Sequence, residues 1–163
     1  MSSGLFWLLD KLNDDFTTFK SKNDIYDITP KPIYLHINSY GGGVFAAFAG
    51  VDFIKQSTIP VHTIIEGASA SAATILSVVG EKRYMSKHGS MLIHQLSSWM
   101  SGKMSDMDDE YKNLEEMMAN ITQIYLKHTN IKKKAKSWPI RNKFNFRQST
   151  RNDARKCWII HSH

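Results

Sequence analysis

The stretch I59-PVHTIIEGASASAATILSVV-G80 decides the fold. Its first part, IPVHTIIE (59–66), is β-branched and reads as a strand. Its last part, SAATILSVVG, reads as a helix. Between them, residues 67–73 run Gly-Ala-Ser-Ala-Ser-Ala-Ala, with two serines and no bulk where a strand hands over to a helix.

Working outward, the same alternation repeats. PIYLHIN (32–38) is a strand, SYGGG a turn, and VFAAFAGVDFIKQS a helix. Downstream lie a short strand at Lys82–Met85, a strand MLIHQL (91–96), and a long helix from an N-cap at Ser105 to about His128. The apolar stripe of that helix is Leu114, Met117, Met118, Ile121, Ile124 and Tyr125. An amphipathic helix over 4–19 precedes everything, with Leu5, Leu8, Leu9, Leu12 and Phe16 at helical spacing. Repeated β-α units predict an α/β fold with a mostly parallel sheet. In such folds ligands meet the loops beyond the carboxyl ends of the strands. The turn SYGGG, the small-residue run and the segment around His94 all fall at that rim.

Composition bounds the rest. The chain has 163 residues, enough for one domain with a real core. No apolar run approaches the roughly 20 residues of a membrane helix. The apolar start MSSGLFWLL has no preceding basic residue and no cleavage site, so it is not read as a signal peptide. A single cysteine, Cys157, excludes an intrachain disulfide and a cysteine zinc site. These features fit a reducing, cytoplasmic setting, and no metal or cofactor is expected. The net charge of +6 is unevenly spread: residues 1–130 hold 11 Lys+Arg against 14 Asp+Glu, and residues 131–163 hold 10 against 1. The expected organisation is one domain over 4–130 followed by a basic tail, 131–163.

A serine on a tight strand-to-helix turn is a way to present a nucleophile, with N–H groups at the helix start aimed at a developing oxyanion. Serine needs a base, and His94 ends a neighbouring strand. Ser, His and backbone donors together suit acyl transfer. Each feature has a plainer reading alone: close helix–sheet packing for the small run, a surface residue for the histidine, a turn for the glycines. Their combination in this order favours the chemical reading.

The combination resembles the proteolytic subunit of the Clp protease, ClpP. IYLHINSYGGG resembles that family's I-N-S-P-G-G segment, GASASAATIL the segment around its nucleophilic serine, MLIHQL its M-I-H-Q-P segment, and the helix ending IYLKHTN its handle helix. The resemblance runs from about Leu5 to Asn130 and implies a ClpP/crotonase-type fold. It implies a serine endopeptidase with Ser71, not Ser69, as nucleophile and His94 as general base. The backbone N–H groups of Gly41 and Ala72 would form the oxyanion hole, and Tyr40 stands where the family has proline. Also implied are a peptide or unfolded-protein substrate, self-association into heptameric rings and an ATP-driven AAA+ unfoldase as partner, with no membrane. The first helix, with Phe6, Trp7 and Leu9, would meet a neighbouring subunit, and Gln95–Lys103 would form an extended arm beside the site.

The resemblance departs from its pattern at both ends. The family's axial N-terminal loop and first strand have no counterpart before Leu5. The family's triad acid has no match: Lys143 falls at its place, and Asp153, the only acid after Glu116, comes too late. The tail expectation is therefore a reading-frame slip near Lys132–Lys134, with a native basic arm that binds nucleic acid electrostatically as the disfavoured option. Two other functions stay open: a catalytically impaired subunit with a structural role in mixed rings, and a crotonase-like acyl-CoA enzyme, against which HINSYGG and LIHQ argue.

Overall fold

The computed structural model describes residues 3–23, 28–99 and 101–129. The basic tail, its lysines Lys132–Lys134 and Asp153 lie outside the described residues.

The order is α1 (Ser3–Lys22), β1 (Ile33–Ser39), α2 (Val44–Gln56), β2 (Val61–Ala70), α3 (Ala72–Val79), β3 (Arg83–Met85), β4 (Ser90–Leu92) and α4 (Met104–His128). The four strands form one sheet, and every pairing is parallel. β2 is its spine: β1 pairs with it from Ile33↔Val61 to Ser39↔Ser69, while β3 takes Thr63–Ile65 and β4 takes Ala68–Ala70. The α/β expectation holds, and among the described residues no helix is long and apolar enough to cross a membrane.

The core lies where α3 packs on β2. Val78, Val79, Ile75, Ile65, Val61 and Met91 are all buried there. Gly80 lets α3 end tightly against the sheet, since a Cβ would sit 2.6 Å from Thr63 Oγ1 and 2.9 Å from Thr63 N. α4 closes the other side of α3 through Ile121 and Tyr125. The remaining stripe residues Leu114, Met117, Met118 and Ile124 are half-buried. On α1, Leu9 enters the chain's own core and Phe6 stacks on Phe53 at 4.7 Å, which leaves Trp7 as the exposed member of the predicted contact face.

Three boundaries differ from the sequence reading, each for a physical reason. β2 runs four residues past Glu66, because Ala68–Ala70 pair with β4 and Ser69 also pairs with Ser39 of β1. β4 stops at Leu92 and not at Leu96, because β2 turns into α3 at Ser71 and leaves no edge to pair with. α4 begins at Met104, and its N-cap, Lys103, makes no side-chain capping bond. Ser105 bonds its neighbour Asp106 instead, at 3.2 Å.

Candidate active site

The site is built where β2 becomes α3. Ser71 has φ 55° and ψ −129°, and it is the only non-glycine residue with positive φ among the described residues. Such a conformation costs an L-residue about 1–3 kcal/mol and persists only where the surroundings over-determine it. A serine at a helix N-cap normally turns its hydroxyl onto the first-turn N–H groups. Ser71 makes no such bond, so its Oγ is not consumed by the helix.

Four bonds hold this elbow. Ser71 N donates to Leu92 O at 2.9 Å, tying it to β4. Ser71 O accepts from Thr74 N at 2.9 Å and from Thr74 Oγ1 at 2.5 Å. Thr74 Oγ1 is in turn 2.5 Å from Tyr125 OH on α4. Burial pushes the Tyr125 phenol up to about 12, against the opposing effect of the Thr74 bond, so it keeps its proton.

Ser69 faces the other way. It is buried, and its Oγ lies 2.7 Å from Ser77 Oγ. Ser77 donates its hydrogen to Ala73 O at 2.9 Å, so Ser69 is the donor of the pair. Ser69 is thus a satisfied core hydroxyl between β2 and α3, while Ser71 is half-buried at the surface.

The glycine turn packs directly on the elbow. Gly41 has φ 103°, and a Cβ there would sit 2.7 Å from Ala70 O, 2.8 Å from Ser71 Cβ and 3.0 Å from Ala72 N. Ala72 opens α3, where N–H groups lack intrahelical acceptors. The Gly41 N–H donates to Ser39 Oγ at 3.1 Å, so an oxyanion would have to take that hydrogen from Ser39. Beside Gly41 and Ala72, toward Phe6, Leu35 and Leu76, lies a mainly apolar cavity of about 370 Å³.

His94 follows β4 by two residues and is half-buried. Its Nδ1 is 2.6 Å from Gln95 O. A carbonyl only accepts, so Nδ1 carries a proton in this contact and, in the neutral ring, Nε2 keeps the basic lone pair. Among the described residues no hydrogen bond joins His94 to Ser71, and no carboxylate contacts His94. The following segment carries no strand, and Leu96 N donates to Met118 Sδ at 3.4 Å, which tethers it to α4.

Asn38 was not singled out by sequence. Between Ile37↔Ile65 and Ser39↔Ser69, β2 advances four residues while β1 advances two. Asn38 Oδ1 accepts from Ala68 N at 3.1 Å within that bulge, and Gly67 has φ 82°, where an added Cβ would sit 2.9 Å from the same oxygen and displace it. Only its place at the strand end before SYGGG signals this role.

The fold and the elbow define a class: a parallel α/β domain that presents a serine at a strained strand-to-helix turn beside a glycine loop. A family model described as Clp protease matches residues 26–143, and the chain belongs to that family. The match reaches past Asn130 into the first part of the basic tail. The chain is 36% identical over 104 residues to ATP-dependent Clp protease proteolytic subunit 1 of Chlamydia pneumoniae, covering 61% of this chain and 54% of that protein. It is 36% identical over 103 residues to subunit 1 of Protochlamydia amoebophila (61% and 50%), and 37% identical over 101 residues to subunit 2 of Treponema denticola (61% and 50%). The chain thus spans about half the length of the relatives it matches.

Proposed function

We propose that this chain is a serine endopeptidase subunit that hydrolyses peptide bonds through an acyl-enzyme on Ser71. His94 Nε2 removes the Ser71 proton as Oγ attacks the carbonyl, then returns it to the leaving amine. Ala72 N–H, and Gly41 N–H once released from Ser39, take the oxyanion. The observation that carries this reading is the backbone of Ser71, an L-residue held at positive φ with its hydroxyl withheld from the helix cap. Unfolded protein is the substrate class, and the relatives' names, proteolytic subunits of an ATP-dependent protease, suggest an ATP-driven component as partner and a multi-subunit working assembly.

A second reading, an impaired subunit with a structural role, draws on one observation: among the described residues, His94 has neither Ser71 nor a carboxylate in hydrogen-bond contact. A fluorophosphonate probe separates the two. Covalent labelling that survives Ser69→Ala and disappears in Ser71→Ala supports the peptidase. Intact assemblies that never label support the structural subunit.

A further inference from the structure

We propose that Tyr125, acting through Thr74, is a positioning residue that aims the Ala72 N–H at the oxyanion; this rests on the reading of Ser71 as nucleophile. A peptide unit is planar and trans, so its C=O and N–H point in opposite directions. Whatever holds Ser71 O therefore sets the direction of the Ala72 N–H. Both donors that hold it belong to Thr74, the backbone N at 2.9 Å and Oγ1 at 2.5 Å.

Thr74 has one hydroxyl hydrogen, and the Ser71 carbonyl takes it. The 2.5 Å contact with Tyr125 must then run from the phenol to the threonine. The order is Tyr125 O–H to Thr74 Oγ1, then Thr74 O–H to Ser71 O. Thr74 is fully buried and Tyr125 is 3% exposed, so solvent does not compete for either hydroxyl. A relay in this order strengthens each bond through the other. On the far side of the same peptide unit, Ala72 N faces Gly41. The relay spans 51 residues of sequence and joins the last turns of α4 to the elbow, so the seating of α4 is passed to the oxyanion donor. A tyrosine present only to fill the core would need no hydroxyl in this place.

The test uses the full chain in its assembled form, a fluorogenic peptide, and a peptide boronate as tetrahedral mimic. Tyr125→Phe keeps the ring and removes the first donor. It is expected to lower kcat about tenfold and weaken boronate inhibition by a similar factor while KM stays unchanged. Thr74→Val, which removes the hydroxyl that bonds Ser71 O directly and leaves the Tyr125 hydroxyl without its acceptor, should cost on the order of 10²-fold, the scale of a lost oxyanion donor. Thr74→Ser keeps a hydroxyl and should stay within about threefold of the parent, since the transition-state contact survives. A Tyr125→Phe chain with unchanged kcat overturns the proposal, whatever its melting temperature. So does a Thr74→Ser chain as impaired as Thr74→Val. If Thr74→Val fails to melt cooperatively, Tyr125→Phe and Thr74→Ser still decide. A parent chain that no fluorophosphonate labels overturns the reading of Ser71 itself, and this proposal with it, which is a different result from normal labelling with indifferent variants.

Discussion

Two serines separated by one alanine, Ser69 and Ser71, have opposite fates because a strand alternates its faces and an elbow breaks the alternation. Ser69 points into the sheet–helix contact and is satisfied there by Ser77; Ser71 sits at φ 55° with no capping bond. Ser69→Ala is expected to leave probe labelling within a few-fold of the parent, and to cost about 1 kcal/mol of stability for the lost buried hydrogen bond. Ser71→Ala should abolish labelling. Equal loss of labelling in both variants, read by mass spectrometry of the adduct, would reject the assignment. Gly41 gives a second residue-level prediction. A methyl there meets backbone atoms at 2.7–3.0 Å and must also adopt φ 103°. Gly41→Ala should lower stability by about 1–3 kcal/mol and push the turn off the elbow. Denaturant titration and labelling rate should fall together; a variant as stable and as reactive as the parent contradicts the packing described. At His94, the Gln95 carbonyl holds Nδ1–H, so this contact by itself favours the useful tautomer. An uncharged carbonyl stabilises the imidazolium less than a carboxylate does. The choice of Ser71 over Ser69, and of Gly41 and Ala72 as donors, comes from the family resemblance and is a proposal; legible in the residues themselves were a small-residue strand-to-helix turn, a glycine turn and a histidine after a strand. Thr74, Tyr125 and Asn38 were not, because what they do depends on partners 3 to 51 residues away that only the fold brings near.

Strands and helices were legible in kind and order, and their ends were not. Gly-Ala-Ser-Ala has poor strand propensity, so reading β2 as ending at Glu66 followed local chemistry. Pairing on both edges overrides that preference and carries β2 to Ala70. The reverse holds for β4, where Ile93 and Leu96 look like strand but pair with no strand edge, and Leu96 N turns to Met118 Sδ instead. Arg83, on β3, illustrates how an element becomes anchored. Its Nη1 donates to Val78 O at 3.0 Å and also to His128 O, so one guanidinium serves the carbonyl ends of α3 and α4. Both are helix C-termini, where a cation is favoured by the unpaired carbonyls and the dipole. Burial lowers the Arg83 pKa, yet an arginine keeps its charge through the neutral range. Arg83→Met, which keeps the bulk of the stem, should destabilise by about 1.5–3 kcal/mol, the scale of hydrogen bonds to a charged group. It should also free the end of α4, with faster hydrogen exchange at Ile124–Thr129 than elsewhere in the helix. Uniform exchange along α4 in that variant would mean that the pairing carries no anchoring role.

Across the whole molecule, the charge that looked like a property of the protein belongs to its last fifth, and the described domain is the mildly acidic part. Two histidines whose pKa values are lowered by folding are expected to contribute to its response to acid. His62 lies on the sheet face away from α3, buried beside Tyr34 at 5.3 Å and Tyr84 at 6.1 Å, and its Nδ1 has no hydrogen-bond partner among the described residues. Burial lowers its pKa, with Glu81 opposing and Lys82 assisting. His128, at the end of α4, is lowered by burial first and then by Lys55, Lys127 and Arg83. Both groups therefore bind protons less readily folded than unfolded. The unfolded chain takes up more protons as the pH falls below the ordinary histidine value of about 6.5, so stability rises with pH through that window and is lost going down. The contribution is whole above about 6.5 and erodes toward the lower folded values. Thermal melts between pH 8 and pH 5 should show a falling melting temperature from about 6.5 downward. His62→Phe places an apolar ring between Tyr34 and Tyr84 and removes the orphaned nitrogen, so it should flatten part of that fall and raise stability at pH 5 most. His128→Gln should flatten another part, without filling any space. The charged groups that shift His62 and those that shift His128 are different residues, so the two effects should add. A double variant that retains the full acid loss would assign the transition to carboxylates and not to these histidines.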